Sequence, residues 1–176
     1  AFSINPDGTL WAWGTNQQGR LGLNDNVQRS SPSQIGSGTD WKQVSMSYMG
    51  GIATKTNGTL WAWGINEFGQ LGQNSRNTPS NNGLSSPVQI PGTTWSHGEG
   101  GNYYSMALKT DGTLWGFGSN SYGELGDNSR VHKSSPVQIP GTTWTNKMTA
   151  GYYTMGVKTD GTLYAWGSNT YGALGL

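Results

Sequence analysis

A four-residue phrase, (Asp/Asn)-Gly-Thr-Leu, opens at Asp7, Asn57, Asp111 and Asp160, at intervals of 50, 54 and 49 residues. Its companions keep register. A Gly-x-Leu-Gly motif starts at Gly19, Gly69, Gly123 and Gly172, and Ser-Ser-Pro-x-Gln-Ile starts at Ser30, Ser85 and Ser134. A lone Trp stands at Trp41, Trp95 and Trp144, each 16 positions ahead of the next turn phrase. A fixed period of this kind means that one supersecondary unit is used several times, and a unit so small cannot bury both of its faces alone. Its copies must therefore pack against one another.

Within one period the chemistry reads as strands. The stretch from Ser105 to Gly118, SMALKTDGTLWGFG, places two apolar-rich runs around Asp-Gly, a pair that suits the positive φ values of a two-residue type I′ hairpin. Asn57-Gly58 repeats the signal. Leu10-Trp11-Ala12-Trp13-Gly14 alternates large aromatics with small residues and has no polar face, so this strand is expected to be packed on both sides. The glycines of Gly-x-Leu-Gly permit a tight loop with its Leu tucked inward. Proline in Ser-Ser-Pro-x-Gln-Ile fits an edge strand, because it has no amide to donate. The Trp-led segment supplies a fourth strand, and no stretch carries a helical period. The expected fold is all-β, a β-propeller of four-stranded blades of about 50 residues. Its repeats are placed at 1–40 (partial), 41–94, 95–143 and 144–176 (partial). One spacing breaks step: 28 residues separate Asn57 from Ser85, against 23 in the other two copies, which places a five-residue insertion around Ser75 to Leu84.

Gly, Ser, Thr and Asn make up nearly half of the chain and charged residues only 11%. That bias alone would suit a disordered linker. Nine Trp and eight Tyr at fixed repeat positions argue for a core instead, since large aromatics bury much surface each. The net charge is +1 with no run of one sign, which argues against a nucleic-acid surface. No cysteine is present for disulfide or thiolate chemistry. No apolar stretch is long enough for membrane insertion. The first residue is Ala rather than Met, which suggests a processing product or the edge of a fragment. The compartment stays unknown, and the Asn/Ser/Thr/Gly-rich surface leans toward an extracellular or virion-associated setting.

The set Asp7-Gly-Thr-Leu-Trp-Ala-Trp-Gly14, Gly19-Arg-Leu-Gly22, Ser30-Ser-Pro-Ser-Gln-Ile35 and the Trp41-led strand resembles the repeats of the regulator of chromosome condensation family, over essentially the whole chain. The resemblance implies a propeller, in that family typically of seven blades, of which this chain would cover about three and a half. It also implies a rigid disc whose loops bind a partner. Members include a guanine-nucleotide exchange factor, a light receptor, an enzyme inhibitor and microbial and phage proteins, so activity does not follow from the blade motif. Four turn phrases stand against three Ser-Ser-Pro segments. The ring is therefore expected to be completed by more repeats, another copy or a partner chain.

Several residue sets invite a catalytic or metal-binding reading. Asp7, Asp111 and Asp160 are turn residues, with Asn57 in the same role without a charge. Trp11, Trp61 and Trp115 share a repeat position with Tyr164, and Trp13, Trp63 and Trp166 share one with Phe117, a replacement pattern that suits packing. His97 and His132 are 35 residues apart and have no third ligand or nucleophile motif with them. The family's histidine before the hairpin strand is missing: Gly50, Tyr104 and Tyr153 stand near that point. Asp25-Asn26 and Asp127-Asn128 read as loop caps rather than metal ligands. No enzyme activity and no cofactor are expected.

The remaining candidates are positions where the copies disagree, because a requirement of the fold should affect all copies alike. They are the inserted stretch with Arg76, Asn77, Asn81 and Asn82, the matching loop with Arg130, His132 and Lys133, and Arg29 in the first copy. These three loops should lie at one level of neighbouring blades and form a polar surface. Tyr103 and Tyr152, at strand entries, form a second candidate set, since Tyr gives large contact area at small entropic cost. The expected function is a non-catalytic binding or structural scaffold that presents propeller loops to a protein or glycan, as a phage or cell-surface component does. Regulation of an enzyme, by nucleotide exchange or inhibition, is the competing reading.

Overall fold

The computed structural model describes residues 1–76 and 83–175, and in them fourteen strands form four antiparallel sheets. The first holds β1 (Phe2–Ile4), β2 (Leu10–Gly14) and β3 (Arg29–Gln34). The second holds β4 (Trp41–Ser47), β5 (Gly50–Lys55), β6 (Leu60–Gly64) and β7 (Leu84–Ile90). The third holds β8 (Trp95–Gly100), β9 (Tyr104–Lys109), β10 (Leu114–Gly118) and β11 (Lys133–Gln138), and the fourth β12 (Trp144–Ala150), β13 (Tyr153–Lys158) and β14 (Leu163–Gly167). Every sheet is a meander in sequence order, which is the all-β propeller read from the period, and the chain covers about three and a half blades.

The Trp-led strands take one edge of their sheets and the proline-bearing strands the other, where a residue without an amide donor costs the ladder nothing. The Trp-led edges of successive blades meet, β4 with β8 and β8 with β12. The Gln43 side chain of β4 donates to the Gly98 carbonyl of β8 at 2.7 Å and accepts from the Gly98 amide at 3.0 Å. The Gly100 amide adds a bond to Ser45 Oγ at 3.2 Å.

The hairpins differ from the two-residue type I′ form. The Gly58 amide donates to Lys55 O (3.0 Å), the Lys55 amide to Thr59 O (3.0 Å), and the positive φ is confined to Gly58, at 78°. The loop is thus one residue longer, a turn followed by a left-handed glycine. Asn57 does not need the left-handed region; its side chain accepts bonds from the Thr59 amide and hydroxyl, and that hydroxyl accepts from the Trp61 indole at 2.9 Å. The same relay runs through Asp7, Thr9 and Trp11 and through Asp111, Thr113 and Trp115.

This relay has a pH signature. The hydroxyl and then the amide of the following Thr hold Asp7 and Asp111 below the ordinary value of 3.8, and the amide and then the hydroxyl of Thr162 do so for Asp160. A carboxyl with a depressed folded-state pKa contributes stability that is complete above its unfolded value and is lost as pH falls through the folded one. Urea midpoints should therefore decline below the ordinary carboxylate range. A variant with Asn at all three positions, as Asn57 has already, should flatten that decline, and an unaltered decline would refute the assignment.

The core lies between blades. Ile52, Leu60 and Ala62 of the second blade pack on Trp95, Ala107 and Phe117 of the third. The edge tryptophans also carry cations. Lys55 Nζ stands 4.7 Å from the Trp41 ring and 5.2 Å from Trp61, and Lys109 and Lys158 repeat the arrangement on Trp95 with Trp115 and on Trp144 with Tyr164. The tryptophans thus serve packing, with a cation–π contact added at the three hairpins that carry a lysine; the first has Asn5 there.

Candidate binding face

Strand direction alternates, so the connections β4–β5, β8–β9 and β12–β13 emerge on the same side as the long connections β2–β3, β6–β7 and β10–β11. Both candidate sets, the loops and the strand-entry tyrosines, therefore share one face. At the junction of the second and third blades they touch. Tyr48 and Tyr103 meet edge to face at 5.8 Å between ring centroids, Tyr103 meets Phe68 at 5.4 Å, and Phe68 meets His132 at 5.1 Å. Tyr48 is 60% exposed, and Phe68, Tyr103 and His132 are half-buried, so the chain of rings borders solvent along its length. Tyr152 lies one blade further on and is exposed, beside Tyr122.

The loops of this face are held by a repeated asparagine. Asn120 is fully buried; it accepts from the Leu125 amide at 2.9 Å and donates to Asp127 Oδ1 (2.9 Å), Ser129 O (3.1 Å) and Val131 O (3.4 Å). Asn16 and Asn66 are buried in the same way, with Leu21 and Leu71 as amide donors. The backbone amide of Asn120 donates to His132 Nδ1 at 2.9 Å, which fixes the imidazole against Phe68. Arg76, from the preceding blade, donates to His132 O at 3.0 Å and ties the two long loops together.

The four loop cations fall into two kinds. Arg29 pairs with Asp25, and Lys133 lies 3.4 Å from Asp127, each inside its own loop. Both carboxylates are held below their ordinary range. For Asp25 the Val27 amide is the main cause, ahead of Arg29. For Asp127 burial acts in the raising direction and is outweighed by bonds from Ser129 and Asn120. With N–H and O–H donors on their oxygens these two aspartates are loop caps. Arg76 and Arg130 are exposed, and no carboxylate pairs with either among the described residues. Asn77, Asn81 and Asn82 lie outside the described residues.

Phe68 carries no signal in a reading that looks for polar loops. It was nonetheless visible, since the residue ahead of Gly-x-Leu-Gly is Gln18, Phe68, Tyr122 or Tyr171, aromatic in three copies of four. Tyr104, next to Tyr103, belongs to the core. Its hydroxyl lies 2.8 Å from Thr154 Oγ1 and donates to Tyr153 O at 2.9 Å across the blade boundary, and burial pushes its pKa up to about 12. Among the described residues no three or more His, Asp or Glu side chains converge as metal ligands would. What the face offers is aromatic area and guanidinium groups that, among the described residues, have no carboxylate partner, the chemistry of recognition.

Compared with known protein families, residues 7–53, 57–108 and 111–155 match the Regulator of chromosome condensation (RCC1) repeat, and residues 151–173 match a second form of that repeat. The ultraviolet-B receptor UVR8 of Arabidopsis thaliana is 26% identical over 134 residues, a stretch that is 70% of this chain and 28% of the receptor. Among solved structures, human WBSCR16 superposes with a TM-score of 0.85 at 22% identity, over 99% of this chain and 46% of that one. Yeast RCC1 (Prp20) bound to Kap60 gives 0.84 at 23% identity, over 99% of this chain and 43% of that one. The chain thus spans less than half the length of each of these relatives.

Proposed function

Because the chain belongs to the regulator of chromosome condensation (RCC1) repeat family, we propose that it is a non-catalytic binding scaffold that docks a protein partner on the face bearing Tyr48, Phe68, Tyr103 and His132. The observation that carries this reading is the continuous line of solvent-bordering rings drawn from two blades. Scattered apolar residues on a surface need no explanation, whereas a contiguous aromatic patch with guanidinium groups beside it has the composition of an interface hot spot. Relatives support the class of function. Yeast Prp20 is described in complex with Kap60 and as binding Gsp1p and histones.

The test is quantitative capture with the folded protein as bait. Proteins retained by the wild-type chain should fall about tenfold in recovery with the Phe68→Ala/Tyr103→Ala double variant. Thr110→Ala, in an exposed hairpin on the opposite face, should leave recovery unchanged. Equal recovery with all three baits, or an equal loss from Thr110→Ala, would rule out this face.

A further inference from the structure

Resting on that reading, we infer that the rim beside His132 takes an acidic segment of the partner, with Arg76 and Arg130 gripping carboxylates while Phe68, Tyr103 and Tyr48 take an adjoining apolar or aromatic side chain. Three observations converge. Arg76 is anchored across the blade boundary on His132 O, so one guanidinium nitrogen is occupied and the other donors stay available. Arg130 stands two residues from His132, on the outside of a loop that Asn120 pins through Ser129 O and Val131 O. Both guanidinium groups lack carboxylate partners among the described residues, while Lys133 beside them, and Arg29 in the matching loop of the first blade, are already paired within their loops.

The local balance of charge follows. Asp127 is taken up by Lys133, Ser129 and Asn120, and Glu124 is buried and accepts from the Tyr122 amide at 2.8 Å. Glu67, beside Phe68, is half-buried and forms no ion pair with either arginine. Counted formally, Arg76, Arg130 and Lys133 balance Asp127, Glu124 and Glu67, but the three carboxylates are buried or half-buried while Arg76 and Arg130 are exposed, so the charge a partner meets at this rim is positive. Guanidinium groups match carboxylates bidentately, and aromatic rings next to them complete an anchor for a short acidic and apolar motif.

The experiment selects displayed random dodecapeptides on the intact folded protein. The expected result is enrichment of Asp and Glu flanked by aromatic or large aliphatic residues. The best synthetic peptide should weaken roughly tenfold against Arg76→Glu/Arg130→Glu and more gradually with added salt. Both substitutions are at exposed positions, and an unchanged urea midpoint verifies that the variant is folded. Selection without acidic enrichment, no binder at all, or equal affinity for the charge-reversed variant overturns the inference. Displacement by alginate, a polymer of uronic acids, at equal carboxylate concentration overturns the peptide as occupant. If Phe68→Ala/Tyr103→Ala abolishes partner capture while Arg76→Glu/Arg130→Glu does not, the acidic segment is wrong and the binding face stands.

Discussion

Replacing Trp63 by Ala is expected to destabilise the protein by about 3–5 kcal/mol, a large part of the stability of a domain this size. The side chain is fully buried and lies between blades. It meets Phe2 edge to face at 5.3 Å and Trp41 at 6.5 Å, and its indole donates to Arg20 O in the preceding blade at 3.1 Å. Truncation therefore leaves a cavity and an unpaired carbonyl together. The surroundings cannot collapse easily, because the ring fills space that the backbone has left for it: a Cβ on Gly51 would fall 2.4 Å from Trp63 Cζ2. The third blade shows how the position can be rebuilt. Phe117 occupies it without an N–H, and the matching carbonyl, Gln70 O, accepts from Ser105 Oγ at 3.0 Å instead. Ser105 stands where the second blade has Gly51, directly opposite the aromatic in the ladder. So Trp63→Phe should cost about 1–2 kcal/mol. Gly51→Ser should be severely destabilising beside Trp63, and the two changes together should recover part of the loss. Urea unfolding of the four species forms a double-mutant cycle, and a coupling energy indistinguishable from zero would sink the account.

Asn120→Ala is expected to cost about 2–3 kcal/mol, because it strands a buried amide at Leu125 and releases the loop that follows. The effect has a local signature. Hydrogen exchange at the Leu125 amide should accelerate beyond what the global change in stability accounts for, and the loop from Asp127 to His132 should lose protection with it. Since that loop carries Arg130 and the imidazole that rests on Phe68, partner capture should weaken even where the variant stays folded. Retention of native exchange at Leu125 would show that the side chain does not hold the loop.

The architecture was legible because the repeat imposes it. Trp, Pro and Gly recur at fixed offsets, and each has one structural use that a fold of stacked sheets can satisfy. The hairpin was legible only in kind. Asp-Gly suits both a two-residue turn and a three-residue turn with a left-handed Gly, and what separates them is the bond from the Lys55 amide to Thr59 O, which residue type does not announce. The loop-holding asparagines sit two residues after the glycine closing each aromatic strand, at Asn16, Asn66, Asn120 and Asn169. They are as periodic as the tryptophans, yet a polar residue in a loop reads as solvent-facing. At the binding face the sequence located the loops and tyrosines but could not say which met. It also could not sort Arg29 and Lys133, taken up by neighbours, from Arg76 and Arg130, because pairing depends on where a carboxylate is placed in space.

The Gln43 amide has a mechanical consequence. By bonding both the amide and the carbonyl of Gly98 it imitates one rung of a β-ladder between strands of different blades. Two bonds through one rigid group share a tensile load and rupture as a single event. A pulling experiment across this junction should therefore record one discrete force peak, and Gln43→Ala should lower that peak.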